Sequence, residues 1–481
     1  MSKKLILIIV LMLGILGGSY FYIENNKTLT NQENEEKLLG EKDIDDEEDS
    51  ETISDYQLIN LTVGQTYRLQ YDSLANTLNE VNFISRDSSI VSVNNEGNIT
   101  GISPGSTTVT LNYTGGKLEF YVTVSDNYSS NASTNNTKIH FLSLRRPEGT
   151  FKSCDAILLE SNGKYGLVDA GFASTRASLY NYLMQFATNG ILKLDFVLIT
   201  HNHSDHIGGL SYLLAQDSIK VETLYINKYY KNDVSSALLS SDKQANYRAY
   251  TSEQNKNYIT KNQQRYNMVI SLMKQRHQND PANFNIHYLT ASDDARKSDG
   301  GLKNLKLGNY DINLYNTRQQ LKSSKTDYNG FDSGECLNEY CRNADGNINT
   351  VVAKVTSNVN GIKHTALLTG DLNYSLLLGV TKAAGTVDVF KMPHHGYLTV
   401  NKARGTTKAN IKNSLKNSIG SKTIVVVTNK ASSFSRGTTM GMLYVSKTLG
   451  RPVYYTGGND GTDGRAVVID FAKTNLNVEY N

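Results

Sequence analysis

Four regimes of hydrophobic and polar positions follow one another along the chain. Residues 5–23 are almost all apolar and come directly after Lys3 and Lys4. A run of roughly 20 apolar residues is long enough to span a bilayer. Tyr20, Phe21 and Tyr22 close it with side chains suited to a membrane interface. With no clear small-x-small site before the chain turns polar, residues 1–23 predict an uncleaved signal anchor rather than a cleaved signal peptide. In either case the lysines stay inside and the remainder is exported. Residues 24–54 lack the large apolar groups needed for a core, which predicts a disordered acidic tether.

From residue 55 to 125 the pattern changes to short alternating runs: "LTVGQTYRLQY", "SSIVSV", "NITGI", "STTVTLNY" and "KLEFYVTV". Each reads as a strand with one buried face, and "NNEG", "SPG" and "TGG" supply the turns. Strands at this spacing without a helical stretch predict a small all-β sandwich. Residues 126–137 are a polar linker. Over 138–481 strands alternate with helices. "KIHFLSL", "DAILLES", "KYGLVDAG", "LDFVLIT", "TLYIN", "YDINLYN", "TVVAKV", "TALLTGD", "VDVFKMP", "TIVVVTN", "RPVYYTG" and "AVVIDFA" read as strands, and "TRASLYNYLMQF", "HIGGLSYLLA" and "NMVISLMKQR" as helices. This predicts a layered α/β domain. The polar stretch 228–282 reads as an insertion or lid.

Composition changes little. The 481 residues exceed one compact core. The 49 basic and 46 acidic groups give a net charge of +3, too balanced to argue for a polyanionic partner. There is no Trp, so the 30 Tyr supply the large amphipathic contacts. Three cysteines are too few for a disulfide scaffold. Cys336 and Cys341 form either a local bridge or two free thiols.

The chemistry concentrates in "THNHSDHIGG", which follows an apolar strand. His201, His203, Asp205 and His206 crowd one turn, although the chain has only nine histidines. Imidazole and carboxylate suit zinc, iron or manganese. Alternation along the turn can aim the first two at one metal and the last two at another. Gly208 and Gly209 allow a tight turn and a closely packed helix. Weaker signals lie at other strand ends: Asp169 in "GLVDAG", Asp371 in "ALLTGDLN", and His394 with His395 in "VDVFKMPHHGY". Alone, Asp169 reads as a cap or turn residue, Asp371 as a turn residue, and the His pair as incidental. All four groups nevertheless sit at the C-terminal ends of strands, where open α/β sheets build sites.

In the order "VDAG", "HNHSDH", "TGD", "HHG" these residues resemble the metallo-β-lactamase fold. The "TGD … DVFKMPHHG" ending is similar to the branch that holds the competence-channel nuclease domains and the phosphorylcholine esterase of pneumococci. The esterase catalytic module is the nearer likeness, over residues 138–427. "SRDSSIVSVNNEGNITGISPGSTTVTLNY" resembles the bacterial immunoglobulin-like domains of group 2, which implies a spacer or adhesive module. The resemblance implies an αββα sandwich preceded by the small all-β one. It implies His201, His203, Asp205, His206 and Asp371 as ligands, with His394 and His395 completing the site, one on metal and the other facing phosphate. Asp205, Asp371 and His394 would carry the catalysis, and Asp169 would orient a ligand. An additional His ligand of the β-lactamase branch has no counterpart, because His277, His287 and His364 stand in unmatched contexts. Lactamase activity is therefore not expected.

The expectation is an exported, surface-tethered hydrolase of phosphate esters. It would hold two divalent cations, zinc first, with iron or manganese as alternatives. Teichoic-acid-like envelope polymers lead as substrates, the N-terminal helix meets the membrane, and the protein is a monomer. An extracellular nuclease and a non-catalytic adhesin with a degenerate metal domain are the rivals.

Overall fold

A computed structural model describes residues 57–69, 81–103, 105–113, 116–125, 136–227, 253–296, 305–317, 346–372, 374–397, 408–434, 445 and 449–481. The anchor, the tether, and Cys336 with Cys341 lie outside the described residues. Among the described residues no helix is long and apolar enough to cross a membrane.

The first folded region is all strand. One sheet pairs Gln57–Thr62, Gly116–Ser125, Gly105–Tyr113 and Val81–Ser85; a second pairs Thr66–Arg68, Asn98–Gly101 and Val91–Val93. Ile59, Leu61, Phe83, Val91, Ile99, Val109, Leu111, Phe120 and Val122 meet between them. Val81–Ser85 is a strand that the hydrophobic pattern does not announce, because only Phe83 of its five residues is buried. Arg86, just beyond it, donates to the carbonyls of Pro147 (3.4 Å) and Glu148 (2.8 Å) in the next domain.

Two larger sheets follow. The first runs Asn285–Leu289, Ile219–Asn227, Leu192–Ile199, Lys164–Val168, Ile157–Ser161, Thr137–Phe141, Val467–Asp470 and Val478–Tyr480. The second runs Leu305–Leu307, Tyr310–Tyr315, Val352–Val359, Ile362–Leu368, Val387–Lys391, Ile419–Val427 and Val453–Tyr455. In each sheet a parallel block adjoins an antiparallel one.

Strand alternation assigns the layers. Over the second half of Leu192–Ile199, Val197 and Ile199 face outward onto helices, while Phe196 and Leu198 face the other sheet. The inner core joins Ile139, Ile157 and Leu198 to Ile312, Val355, Ala366 and Val389. Outside the first sheet pack helices Arg176–Met184, Leu210–Ala215 and Glu253–Asn279; outside the second pack Tyr374–Ala384 and Lys408–Ser418. The result is the α/β/β/α sandwich that was expected.

Within the stretch 228–282, read as an insertion or lid, the helix expected over 267–276 is present and longer than its apolar pattern announces. Residues 228–252 lie outside the described residues, but Glu253–Asn279 is a long helix. It buries Tyr266, Val269, Ile270 and Met273 in the outer core. Spacings of three and four residues give it one apolar stripe despite its polar composition.

Candidate metal centre

The candidate residues converge at the C-terminal ends of parallel strands from both sheets. Leu192–Ile199 ends at Thr200 and delivers His201 and His203, then a short helix, Ser204–Ile207, carrying Asp205 and His206. Ile362–Leu368 leads to Asp371, and Val387–Lys391 leads to His394 and His395. The tight turn after Thr200 depends on glycine. A Cβ on Gly208 would stand 2.3 Å from the Ser204 carbonyl and 2.6 Å from the Ala173 nitrogen; one on Gly209 would stand 2.3 Å from the Ala170 carbonyl.

Asp205, His206, Asp371 and His395 bring one donor atom each within 4.8 Å of one another. His395 Nε2 lies 2.9 Å from Asp205 Oδ2 and 3.5 Å from Asp371 Oδ2. His206 Nε2 lies 3.2 Å from Asp371 Oδ2. His201 packs on His206 with ring centroids 4.0 Å apart, and His203 packs on His201 at 4.5 Å. His201 and His203 thus adjoin the four-residue set without belonging to it. His394 stands at the mouth: its side chain is 24% exposed against 5% for His395, and its Nε2 is 3.9 Å from Asp371 Oδ2. His277, His287 and His364 are engaged elsewhere, with Asn283, Asp293 and Lys473 respectively.

The hydrogen bonds behind these rings decide which nitrogen faces the cluster. Thr200 Oγ1 donates to Asp169 Oδ2 at 2.7 Å, so it must accept from His201 Nδ1 at 3.1 Å. Asp169 Oδ2, as a carboxylate, accepts from His206 Nδ1 at 2.8 Å. Thr428 Oγ1 donates to Asp155 Oδ1 at 2.6 Å and accepts from His395 Nδ1 at 3.0 Å. All three imidazoles therefore carry their proton on Nδ1 when neutral and turn an Nε2 lone pair inward. This is the outer support that metal-binding histidines require. His201 Nε2 is buried with no hydrogen-bond partner, while His206 Nε2 has only the carboxylates of Asp371 (3.2 Å) and Asp205 (3.5 Å) before it. A buried imidazole lone pair without a donor is costly unless a cation takes it, so these residues fit a metal.

Electrostatics point the same way. Burial alone would raise the Asp371 carboxyl, but His395, His206 and His394 hold it well below the usual range. Burial would lower His395, yet Asp371 and Asp155 push it up to about 10. His201, buried and beside His206 and His203, falls well below its ordinary value. Burial would lower His206 too, but Asp371, Asp205 and Asp169 raise it well above its ordinary value, so the carboxylates hold positive charge at the place a cation would fill.

Four participants escape the sequence pattern: Asp155, Thr200, Thr428 and Lys391. Asp155 stands before an apolar strand, and Lys391 is fully buried at the end of one. A charged residue inside "VDVFKMP" was the available signal.

Residues 149–258 match the model of the metallo-beta-lactamase superfamily, and residues 52–124 match that of the bacterial Ig-like domain (group 2). The two matches follow one another along the chain, the Ig-like one first. Members of that superfamily are metal-dependent hydrolases. The metallo-beta-lactamase domain is similar to the metallo-beta-lactamase fold protein YhfI from Bacillus subtilis, at 11% identity over 67% of this chain and 96% of that one, with a TM-score of 0.32. It is also similar to human tRNase Z, short form, at 13% identity over 60% and 91% with a TM-score of 0.31. The subclass B3 enzyme MEM-A1 from a soil metagenome library matches at 12% identity over 59% and 96%, with a TM-score of 0.28. No curated protein matches the chain.

Proposed function

We propose that the chain is an exported, membrane-tethered phosphodiesterase that acts on phosphate esters of the cell envelope with two divalent cations, zinc first. The observation that carries the hydrolase reading is the set of three histidines locked with Nε2 inward against Asp205 and Asp371. His201 and His203 would hold one cation; Asp205, His206 and His395 would hold the other; Asp371 would serve both. Bound there, the cations would supply Lewis acidity, activation of water at neutral pH, and charge neutralisation on the phosphoryl oxygens.

The protein's own groups do the rest. Asp169 fixes His206, and Thr200 fixes His201. His394, at the mouth beside Asp371, faces the substrate and takes a phosphoryl oxygen. A diester suits the arrangement, because each of its free oxygens can meet one cation. Export and tethering rest on the lysines and apolar run at the N-terminus, and on the Ig-like domain as a spacer.

The test is metal analysis of the purified chain, with hydrolysis of bis-p-nitrophenyl phosphate, p-nitrophenyl phosphorylcholine and single-stranded DNA. Two zinc ions per chain and turnover of the small diesters are expected. Asp371→Ala should cut that turnover by two or more orders of magnitude, about 3 kcal/mol in barrier. Trace metal only, or activity confined to DNA, would overturn the reading.

A further inference from the structure

Four carboxylates, those of Asp155, Asp169, Asp205 and Asp371, gather around the candidate metal centre. Among the described residues, Lys391 is the one lysine or arginine ion-paired to any of them. It is completely buried, which is costly for an ammonium unless it is paired and hydrogen-bonded. The ammonium has three partners. It pairs with Asp155 Oδ2, donates to the Gly370 carbonyl at 3.0 Å, and lies 3.7 Å from Asp371 Oδ1.

Each partner leads to a candidate ligand. The other oxygen of Asp155 accepts from Thr428 Oγ1 at 2.6 Å and lies 3.2 Å from His395 Nδ1. The Gly370 carbonyl also accepts from the His394 backbone nitrogen at 3.0 Å, so the turn carrying Asp371 is tied to the turn carrying His394 and His395. Gly370, His394 and His395 all hold left-handed backbone (φ 49, 51 and 49°), a conformation that non-glycine residues keep only when their surroundings enforce it.

We propose that Lys391 is a positioning residue of this centre: its ammonium fixes Asp155 and the Gly370 carbonyl, and through them sets the orientation of His395 and Asp371. The inference rests on the two-cation reading for its purpose, but its geometry belongs to the chain alone. A lysine that merely filled a buried ion pair would need only Asp155. Here the pair's far oxygen is turned onto a ligand's rear nitrogen, and the ammonium also grips the backbone beside the bridging carboxylate.

The experiment uses the full chain with Lys391→Met and the double variant Lys391→Met/Asp155→Ala. Histidine-selective ¹⁵N spectra of the metal-free protein at one pH, with His395 identified by His395→Gln, report its ring environment. Zinc affinity is measured by chelator competition. Lys391→Met should shift the His395 nitrogen signals and weaken one of the two zinc ions about 10–100-fold, the usual effect of removing an outer-shell group. The double variant removes the uncompensated carboxylate, so stability should return toward wild type while zinc affinity stays low. That variant also keeps the test valid if Lys391→Met alone fails to fold. Unchanged His395 signals in Lys391→Met, or wild-type zinc affinity in the double variant, would overturn the inference. Wild-type protein that binds no zinc would overturn the two-cation reading instead, and the metal-free spectra would still decide the role of Lys391.

Discussion

Asp169→Asn separates a site built on fixed tautomers from a polar cluster that happens to contain histidines. Asp169 is fully buried, with backbone in the left-handed region (φ 60°). Asparagine tolerates that conformation, so the fold should survive. The side chain accepts three hydrogen bonds: from the Thr200 nitrogen at 2.8 Å, Thr200 Oγ1 at 2.7 Å and His206 Nδ1 at 2.8 Å. An amide offers a single acceptor oxygen. With that oxygen kept on the Thr200 nitrogen, the new NH₂ meets both Thr200 Oγ1 and His206 Nδ1. His206 then resolves the clash by moving its proton to Nε2, where it faces Asp371 Oδ2 at 3.2 Å and blocks ligation. The lost charge-assisted bond is worth about 1.5–3 kcal/mol, or roughly 10–100-fold in affinity. Chelator competition with zinc should show one ion weakened by that factor, and turnover of bis-p-nitrophenyl phosphate should fall with it. Asp169→Ala should do the same damage and lose stability as well, because alanine is strained at that φ. If Asp169→Asn bound both ions with wild-type affinity, the tautomer argument would be wrong.

Further outcomes follow from the same geometry. His395→Gln should lose one zinc ion, whereas His394→Gln should keep both and lose turnover; elemental analysis with initial rates decides it. Gly208→Ala should cost about 1–3 kcal/mol, since its Cβ would press on backbone atoms that cannot yield, and thermal denaturation reads the loss. Burial holds His140 below 6.5 in the folded chain, against the pull of Glu160. The unfolded state therefore binds the extra proton as pH falls below about 6.5, and stability should drop there. Glu160 is itself held below 4.5 by His140, overriding burial, and should extend the loss as pH falls through 4.5. Denaturant titrations across this range should show the slope, and His140→Gln should flatten its upper part.

Much of this was legible in the residues. Apolar runs at strand spacing located the strands that carry the site, and turn glycines marked where they end. The dense "HNHSDH" turn announced itself by composition alone. Asp371 and the His394–His395 pair were weak signals, strengthened only by their shared position after strands. What stayed hidden depends on layers rather than on order along the chain. Lys391 sits in an apolar strand, and no local pattern tells whether its ammonium reaches solvent or Asp155. Thr200 and Thr428 look like ordinary strand-end threonines until the two sheets face each other. Only the second half of the helix Glu253–Asn279 was legible, as "NMVISLMKQR", because the polar composition of its first half outweighed the narrow apolar stripe.

The two-sheet origin of the cluster has a kinetic consequence. Asp205 and His395 are 190 positions apart and follow strands of different sheets. Closing that separation is entropically slow, so these contacts belong to the late stages of folding. Stabilisation added by interactions absent from the folding transition state slows unfolding and leaves the folding rate nearly unchanged. A cation gripped by both sheets would therefore act as a clasp on an already folded chain. Its withdrawal should register first as a shorter lifetime of the native state, with refolding speed untouched.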